Sequence, residues 1–256
     1  RLKNSFAQYY LYDSDRIFVI DEAGNFVVYS DQVLRGRSVN NKFLFDDGKH
    51  KVVVDPFLNG NELAVHNPDD VECDYIALSH GHADHFGDTM SIAKKNSATV
   101  IAAFEICEYI NELGYEKTDP GNPGGRVYTD FGYVAFTPAF HSSSYQGRYM
   151  GQPCGLILRF EQIGVTVYHT GDTALFSDIK LIGELAMPDI MCVCIGDRFT
   201  MTAKLANRAV EFVGPKLAIP MHYKTFPILA ESTDGFHPDG AEVREMQPGE
   251  TFAYGD

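Results

Sequence analysis

A chain of 256 residues, 45% hydrophobic and 22% charged, has ordinary globular composition and a length that suits one large domain or two small ones. Thirty-five acidic side chains against 21 basic ones leave a formal net charge of −14, a surface that repels phosphate backbones and argues against gripping long nucleic acid by charge. No apolar run approaches the ~20 residues of a membrane span and no signal-peptide pattern opens the chain, so the expected setting is cytoplasmic, away from a membrane.

Residues 16–29 read as two short strands around a Gly24-Asn25 turn. A hairpin follows, from Lys42-Phe43-Leu44-Phe45 through a polar turn at 46–49 to Val52-Val53-Val54-Asp55-Pro56. Tyr75-Ile76-Ala77-Leu78-Ser79 has the length and apolarity of a buried strand and ends directly in a cluster of histidines. Residues 87–96 and 104–113 are predicted helical, and the Pro- and Gly-rich segment 119–125 a loop. Strands are then predicted at 126–129, 132–140, 154–160 and 163–169, a helix at 176–185, a strand at 190–195, a helix at 202–213 and a last core strand at 217–221. No repeat and no domain boundary interrupts this series, so 1–256 is expected to be a single domain. Strands dominate with helices between them, the pattern of an α/β protein whose sheet layers are covered by helices. Cys73, Cys107, Cys154, Cys192 and Cys194 are odd in number, irregularly spaced and set in apolar stretches, as small buried hydrophobes in a reducing compartment would be.

The segment Ser79-His80-Gly81-His82-Ala83-Asp84-His85-Phe86-Gly87-Asp88 carries the chemistry. Three histidines and an aspartate within six residues, just past a buried strand, cannot all be satisfied as core residues, and a solvated loop has no use for them. Imidazole and carboxylate are ligands of choice for zinc-class ions. His80 and His82 can reach one metal from a tight turn, and Asp84 and His85 then point toward a second site.

This His-x-His-x-Asp-His pattern resembles the signature of the metallo-β-lactamase superfamily. The resemblance implies a four-layer αββα sandwich, two mixed β-sheets flanked by helices, with metals at one sheet edge. Three later segments match the family's order: 134–141 ending in His141, 165–173 carrying Gly171-Asp172, and 218–223 carrying His222. Carried over residue by residue, His80, His82 and His141 would hold one metal, Asp84, His85 and His222 the other, and Asp172 would bridge them. Such a set of five imidazoles and two carboxylates suits two divalent ions per chain, Zn²⁺ or Mn²⁺, with Fe²⁺ compatible. Asp55-Pro56-Phe57-Leu58-Asn59-Gly60-Asn61, His141-Ser142-Ser143-Ser144, Gly196-Asp197-Arg198-Phe199-Thr200-Met201 and the stretch 220–227 are similar to a narrower branch, metal-dependent hydrolases related to ascorbate-6-phosphate lactonase. The first forty residues depart from that branch: where it has strand and then Gly-His-Ser, this chain has Gly36-Arg37-Ser38.

The implied activity is hydrolysis of a small, anionic lactone, ester or phosphodiester by a hydroxide shared between two metals. Asp84 and Asp172 would act at the reacting centre, His169 would donate a proton or support the metal loop, Asp55 would support it from behind, and Arg198 and Lys224 would hold the substrate's anionic group. Ser142, Ser143 and Ser144 suggest hydrogen bonding rather than a nucleophile, since no elbow motif accompanies them. The alternative is a metal-dependent ribonuclease or phosphodiesterase acting on nucleic acid; the acidic surface and the short spacing from Asp172 to His222 oppose it. A di-iron oxygen-reducing enzyme would carry glutamate at the position of His82 and a flavin domain, and a metal-binding relic would lack ligands that are all present here. The expected partner is therefore a small-molecule substrate, with no nucleic acid and no membrane; self-association into a homo-oligomer has no readable signature.

Overall fold

The computed structural model describes residues 43–255, together with the backbone of the strands Tyr9–Asp13, Arg16–Ile20, Phe26–Ser30 and Leu34–Ser38. The first three of these strands form a separate antiparallel sheet, with Arg16 opposite Ser30 and Ile20 opposite Phe26. The predicted Gly24-Asn25 turn and the side chain of Arg37 lie outside the described residues.

Two seven-stranded mixed sheets make up the body of the protein. One runs in the order Thr251–Tyr254, Leu34–Ser38, Phe43–Asp46, Lys51–Val54, Tyr75–Ala77, Thr99–Ala103, Thr118–Gly121. The other runs Arg126–Thr129, Gly132–Pro138, Cys154–Phe160, Val165–His169, Ile190–Cys194, Leu217–Met221, Glu242–Val243. In both, the first four strands pair antiparallel and the rest pair parallel.

Period-2 alternation assigns the layers. Val52, Val54, Ala77 and Ile101 join Phe43 and Phe45 in one cluster with Val134, Phe136, Leu156 and Phe160 of the second sheet, which is the interface between sheets. Val53, Ile76 and Val100 face the other way, onto Ile92 and Ala93 of the helix Thr89–Asn96 and Ile106 and Ile110 of the helix Phe104–Glu112. On the far side of the second sheet lie the helices Ile179–Ala186 and Ala203–Val213, contributing Ile179, Ile182, Ala206 and Val210. The result is the expected αββα sandwich. Thr202 caps the helix Ala203–Val213, its hydroxyl accepting from the Leu205 amide at 3.2 Å, and Gly214 ends it in the left-handed conformation.

Several strands go beyond the sequence-based expectation, Leu34–Ser38, Glu242–Val243 and Thr251–Tyr254 among them, and two more arise between or within segments expected to be helix or loop. Thr99–Ala103 lies between the two predicted helices, and its short apolar run carries no periodicity that distinguishes strand from helix. Thr118–Gly121 occupies part of the expected loop 119–125; as an edge strand it tolerates Pro120, whose missing N–H costs no ladder bond there. The expected helix 87–96 is shorter, a single turn Ala83–Phe86 and the helix Thr89–Asn96 being separated at Gly87. All five cysteines are buried and free. Among the described residues, no helix is long and apolar enough to cross a membrane.

Candidate metal centre

In sheets with parallel strands, binding sites form just beyond the carboxyl ends of those strands. Here both sheets deliver polar residues at such ends. Val54 is followed by Asp55, Ala77 by Leu78-Ser79 and the histidine segment, His169 by Thr170-Gly171-Asp172, and Met221 by His222. Asp55 and His222 adopt φ of 48° and 59°, a left-handed region uncommon for any residue but glycine, though Asp and His enter it more readily than most. Strained backbone of this kind persists only where surrounding contacts hold it. At Gly196 the reason for glycine is contact: a Cβ there would lie 2.1 Å from the carbonyl oxygen of His222 and 3.0 Å from its Nδ1.

The seven expected ligands converge. The ligand atoms of His80, His82 and His141 all lie within 4.8 Å of one another, as do those of Asp84, His85 and His222. Within the first group, His80 Nε2 and His82 Nδ1 are 3.0 Å apart. Within the second, Asp84 Oδ2 lies 3.4 Å from both His85 Nε2 and His222 Nε2. Asp172 sits between the groups, its Oδ2 at 2.9 Å from His222 Nε2, 3.5 Å from His85 Nε2 and 3.6 Å from His141 Nε2. Its Oδ1 is buried with no hydrogen-bond partner among the described residues, an arrangement that is costly unless a cation satisfies it.

The state of these groups suits metal binding. Burial, reinforced by neighbouring His85, holds the pKa of His80 well below the ordinary histidine value. Burial likewise lowers His82 and His141. Burial pushes the carboxyl of Asp172 upward, but His222 and His85 outweigh it and hold the group well below the usual carboxylate range. Neutral imidazoles and an ionised carboxylate are the forms that bind divalent ions. The chemistry of the donor set therefore fits the two metals implied by the resemblance.

Behind the ligands, Asp55 is fully buried and accepts from the Ser79 amide at 2.7 Å, from the Ser79 hydroxyl at 2.5 Å and from His85 Nδ1 at 2.8 Å. Asp55, His80 and His85 also fall within ligand distance of each other. Asp55 is nonetheless occupied by these donors, and its contact with His85 Nδ1 leaves His85 Nε2 facing Asp84 and Asp172. It thus acts as the carboxylate that orients a metal-binding imidazole. Ser79 Oγ, to which the sequence reading assigned no role, lies 3.0 Å from His80 Nδ1 and does the same for that ring. Ser142 Oγ is 3.2 Å from His82 Nε2, so it too meets the back of an imidazole, while Ser143 Oγ accepts from the Gly81 amide at 3.1 Å and fixes the turn.

His169 lies on the strand that leads to Asp172. It is completely buried, packed edge-on to Phe43 at 6.1 Å between ring centroids, and its Nδ1 accepts from the Gly171 amide at 3.2 Å. Strand pairing against Leu156 and Cys192 keeps it inside the sandwich. Through the Gly171 contact it supports the turn that carries Asp172, one of the two roles expected of it. Arg198 and Lys224 are exposed, as a binding role needs, on loops tied together where the Ala230 amide donates to the Gly196 carbonyl and the Lys224 amide to that of Ala230.

The comparisons agree with this geometry. A family model described as a beta-lactamase superfamily domain matches residues 39–222. The UPF0173 metal-dependent hydrolase of Staphylococcus carnosus is 46% identical over 219 residues, 82% of this chain and 94% of that protein. Igni18, a metallo hydrolase from the archaeon Ignicoccus hospitalis, superimposes with a TM-score of 0.79 at 30% identity, covering 87% of this chain and 98% of its own. The metallo-beta-lactamase fold protein YhfI from Bacillus subtilis, at 14% identity and a TM-score of 0.66 over 87% of this chain and all of its own, shares the fold. Sequence, fold and converging ligands together make this chain a member of the UPF0173 metal-dependent hydrolases within the metallo-β-lactamase superfamily.

Proposed function

We propose that this enzyme hydrolyses a small, anionic lactone, ester or phosphodiester with two divalent ions of the zinc or manganese class. His80, His82 and His141 would hold one, Asp84, His85 and His222 the other, and Asp172 both. The observation that carries the reading is the Asp172 carboxylate, set between two imidazole groups with its second oxygen buried and unpartnered. Bound in pairs, such ions lower the pKa of water and polarise an electrophilic oxygen. The protein's own part is placement. Asp55 and Ser79 fix the imidazole orientations, and Asp84, whose side chain is 20% exposed, faces the open side where it can accept a hydrogen bond from the attacking water. Arg198 and Lys224 supply cationic groups for the substrate's anionic end.

Gently purified protein should contain about two equivalents of divalent metal by elemental analysis. Less than about half an equivalent, unrestored by added metal, would remove the dinuclear reading. At equal metal loading, a bis-aryl phosphodiester or a phosphorylated lactone should be turned over and a precursor transfer RNA left intact. The charge of −14 opposes the many phosphate contacts a structured RNA needs. Cleavage of the RNA with both small compounds untouched would reverse the assignment in favour of the nuclease.

A further inference from the structure

Resting on the hydrolase reading above, we infer that the substrate carries an apolar body beside its anionic group, and that two aromatic pairs flanking the metal centre select it. Phe140 directly precedes His141 and is 64% exposed. Its amide donates to Thr173 Oγ1 at 3.0 Å and its carbonyl accepts from the Ala174 amide at 3.2 Å, which binds it to the loop of Asp172. Its ring lies 5.2 Å from that of Phe176. A second pair is formed by Phe226, four residues beyond His222, which stands 6.2 Å from Phe57, two residues beyond Asp55. The close approach of Gly87 places Phe57 beside the histidine turn, since a Cβ on Gly87 would lie 3.1 Å from Phe57 Cα.

One pair is thus carried by the segments of His141 and Asp172, and the other by those of Asp55 and His222, beside the histidine turn. Phe176 is partly buried against the core and Phe57 and Phe226 are partly buried, but Phe140 is left exposed beside a polar centre, where packing gives no reason for a large aromatic side chain. An apolar substituent lying between the pairs would cover them, while the metals with Arg198 and Lys224 take the anion. A sugar-like, fully hydrated substrate would leave this surface wet.

Binding of methyl-, hexyl- and phenylphosphonate to the metal-loaded enzyme, followed by calorimetry, tests the selection without requiring turnover. The hexyl and phenyl compounds should bind roughly thirtyfold more tightly than the methyl compound, equivalent to about 2 kcal/mol of apolar burial. That advantage should fall below about threefold in Phe140→Ala/Phe226→Ala and persist in Phe140→Leu, which keeps most of the apolar area, with metal content unchanged in both. Equal binding of the three ligands by the unmodified enzyme, or an undiminished advantage in the double variant, would overturn the inference. Should the preference hold while no lactone, ester or phosphodiester is turned over, the hydrolytic substrate class fails and the apolar selection stands. Turnover indifferent to apolar substituents would have the reverse meaning.

Discussion

Asp172→Ala is expected to lower kcat/KM by at least about a thousandfold and to reduce bound metal to about one equivalent or less. The carboxylate is within 3.6 Å of imidazole nitrogens from both groups, so its removal would take away the donor proposed to serve both metals and leaves the imidazoles of His85, His141 and His222 facing one another across a gap. Neither neighbouring carboxylate is free to replace it: Asp84 already faces His85 and His222 in its own place, and Asp55 is held by the Ser79 amide and hydroxyl and by His85. Arg198→Ala should cost only about tenfold, shared between KM and kcat, with metal content intact, since an exposed arginine can orient substrate but touches no ligand group. Metal analysis and steady-state kinetics on the two variants, side by side, decide the point. Equal and mild losses would remove Asp172 from the bridging position.

Asp55→Ala should be the most destabilising single change in the loops around the centre. It removes a carboxylate that is 0% exposed and strands the Ser79 amide, the Ser79 hydroxyl and His85 Nδ1 as buried donors. Breaking a buried charged network of this kind costs about 3–5 kcal/mol. In a chain of this size that is a fall of roughly 10 °C in melting temperature, to be measured in excess chelator so that metal binding does not contribute. Metal affinity should separately weaken by about 10- to 100-fold, because His85 is no longer held with Nε2 toward the metals. Ser79→Ala, which removes one donor and leaves Asp55 paired with the other two, should cost about 1 kcal/mol. A chelated Asp55→Ala protein that melts with the unmodified one would show that the network holds nothing together.

The centre was legible because its chemistry is local. Three histidines and an aspartate in six residues have no packing explanation, and the later ligands each close a strand whose apolar run is visible in the sequence. What depends on direction rather than position was not legible. His169 closes a strand just as His141 and His222 follow theirs, yet it points into the sandwich against Phe43, and only the sheet pairing reveals that. Ser79 has no signature distinguishing it from any serine at a strand end; its role arises from Asp55, distant in sequence, arriving at 2.5 Å. Among the strands, Thr99–Ala103 was hidden by its brevity and alanine content, and Thr118–Gly121 by a proline that only an edge position admits. The pairing of Thr251–Tyr254 with Leu34–Ser38 brings together strands far apart in sequence at one edge of the sheet, a contact no local pattern can announce.

The candidate ligands come from both sheets, and this has a consequence for how the fold is held together. A cation held by His82 and His141 would link positions roughly sixty residues apart, and one shared by Asp172 and His222 positions roughly fifty apart; because only the folded chain gathers these donors, the binding free energy would add to the stability of the fold. The five free cysteines form no covalent staple. Coordination would take that place, and unlike a disulfide it can be undone by protons or a chelator and re-formed without an oxidant.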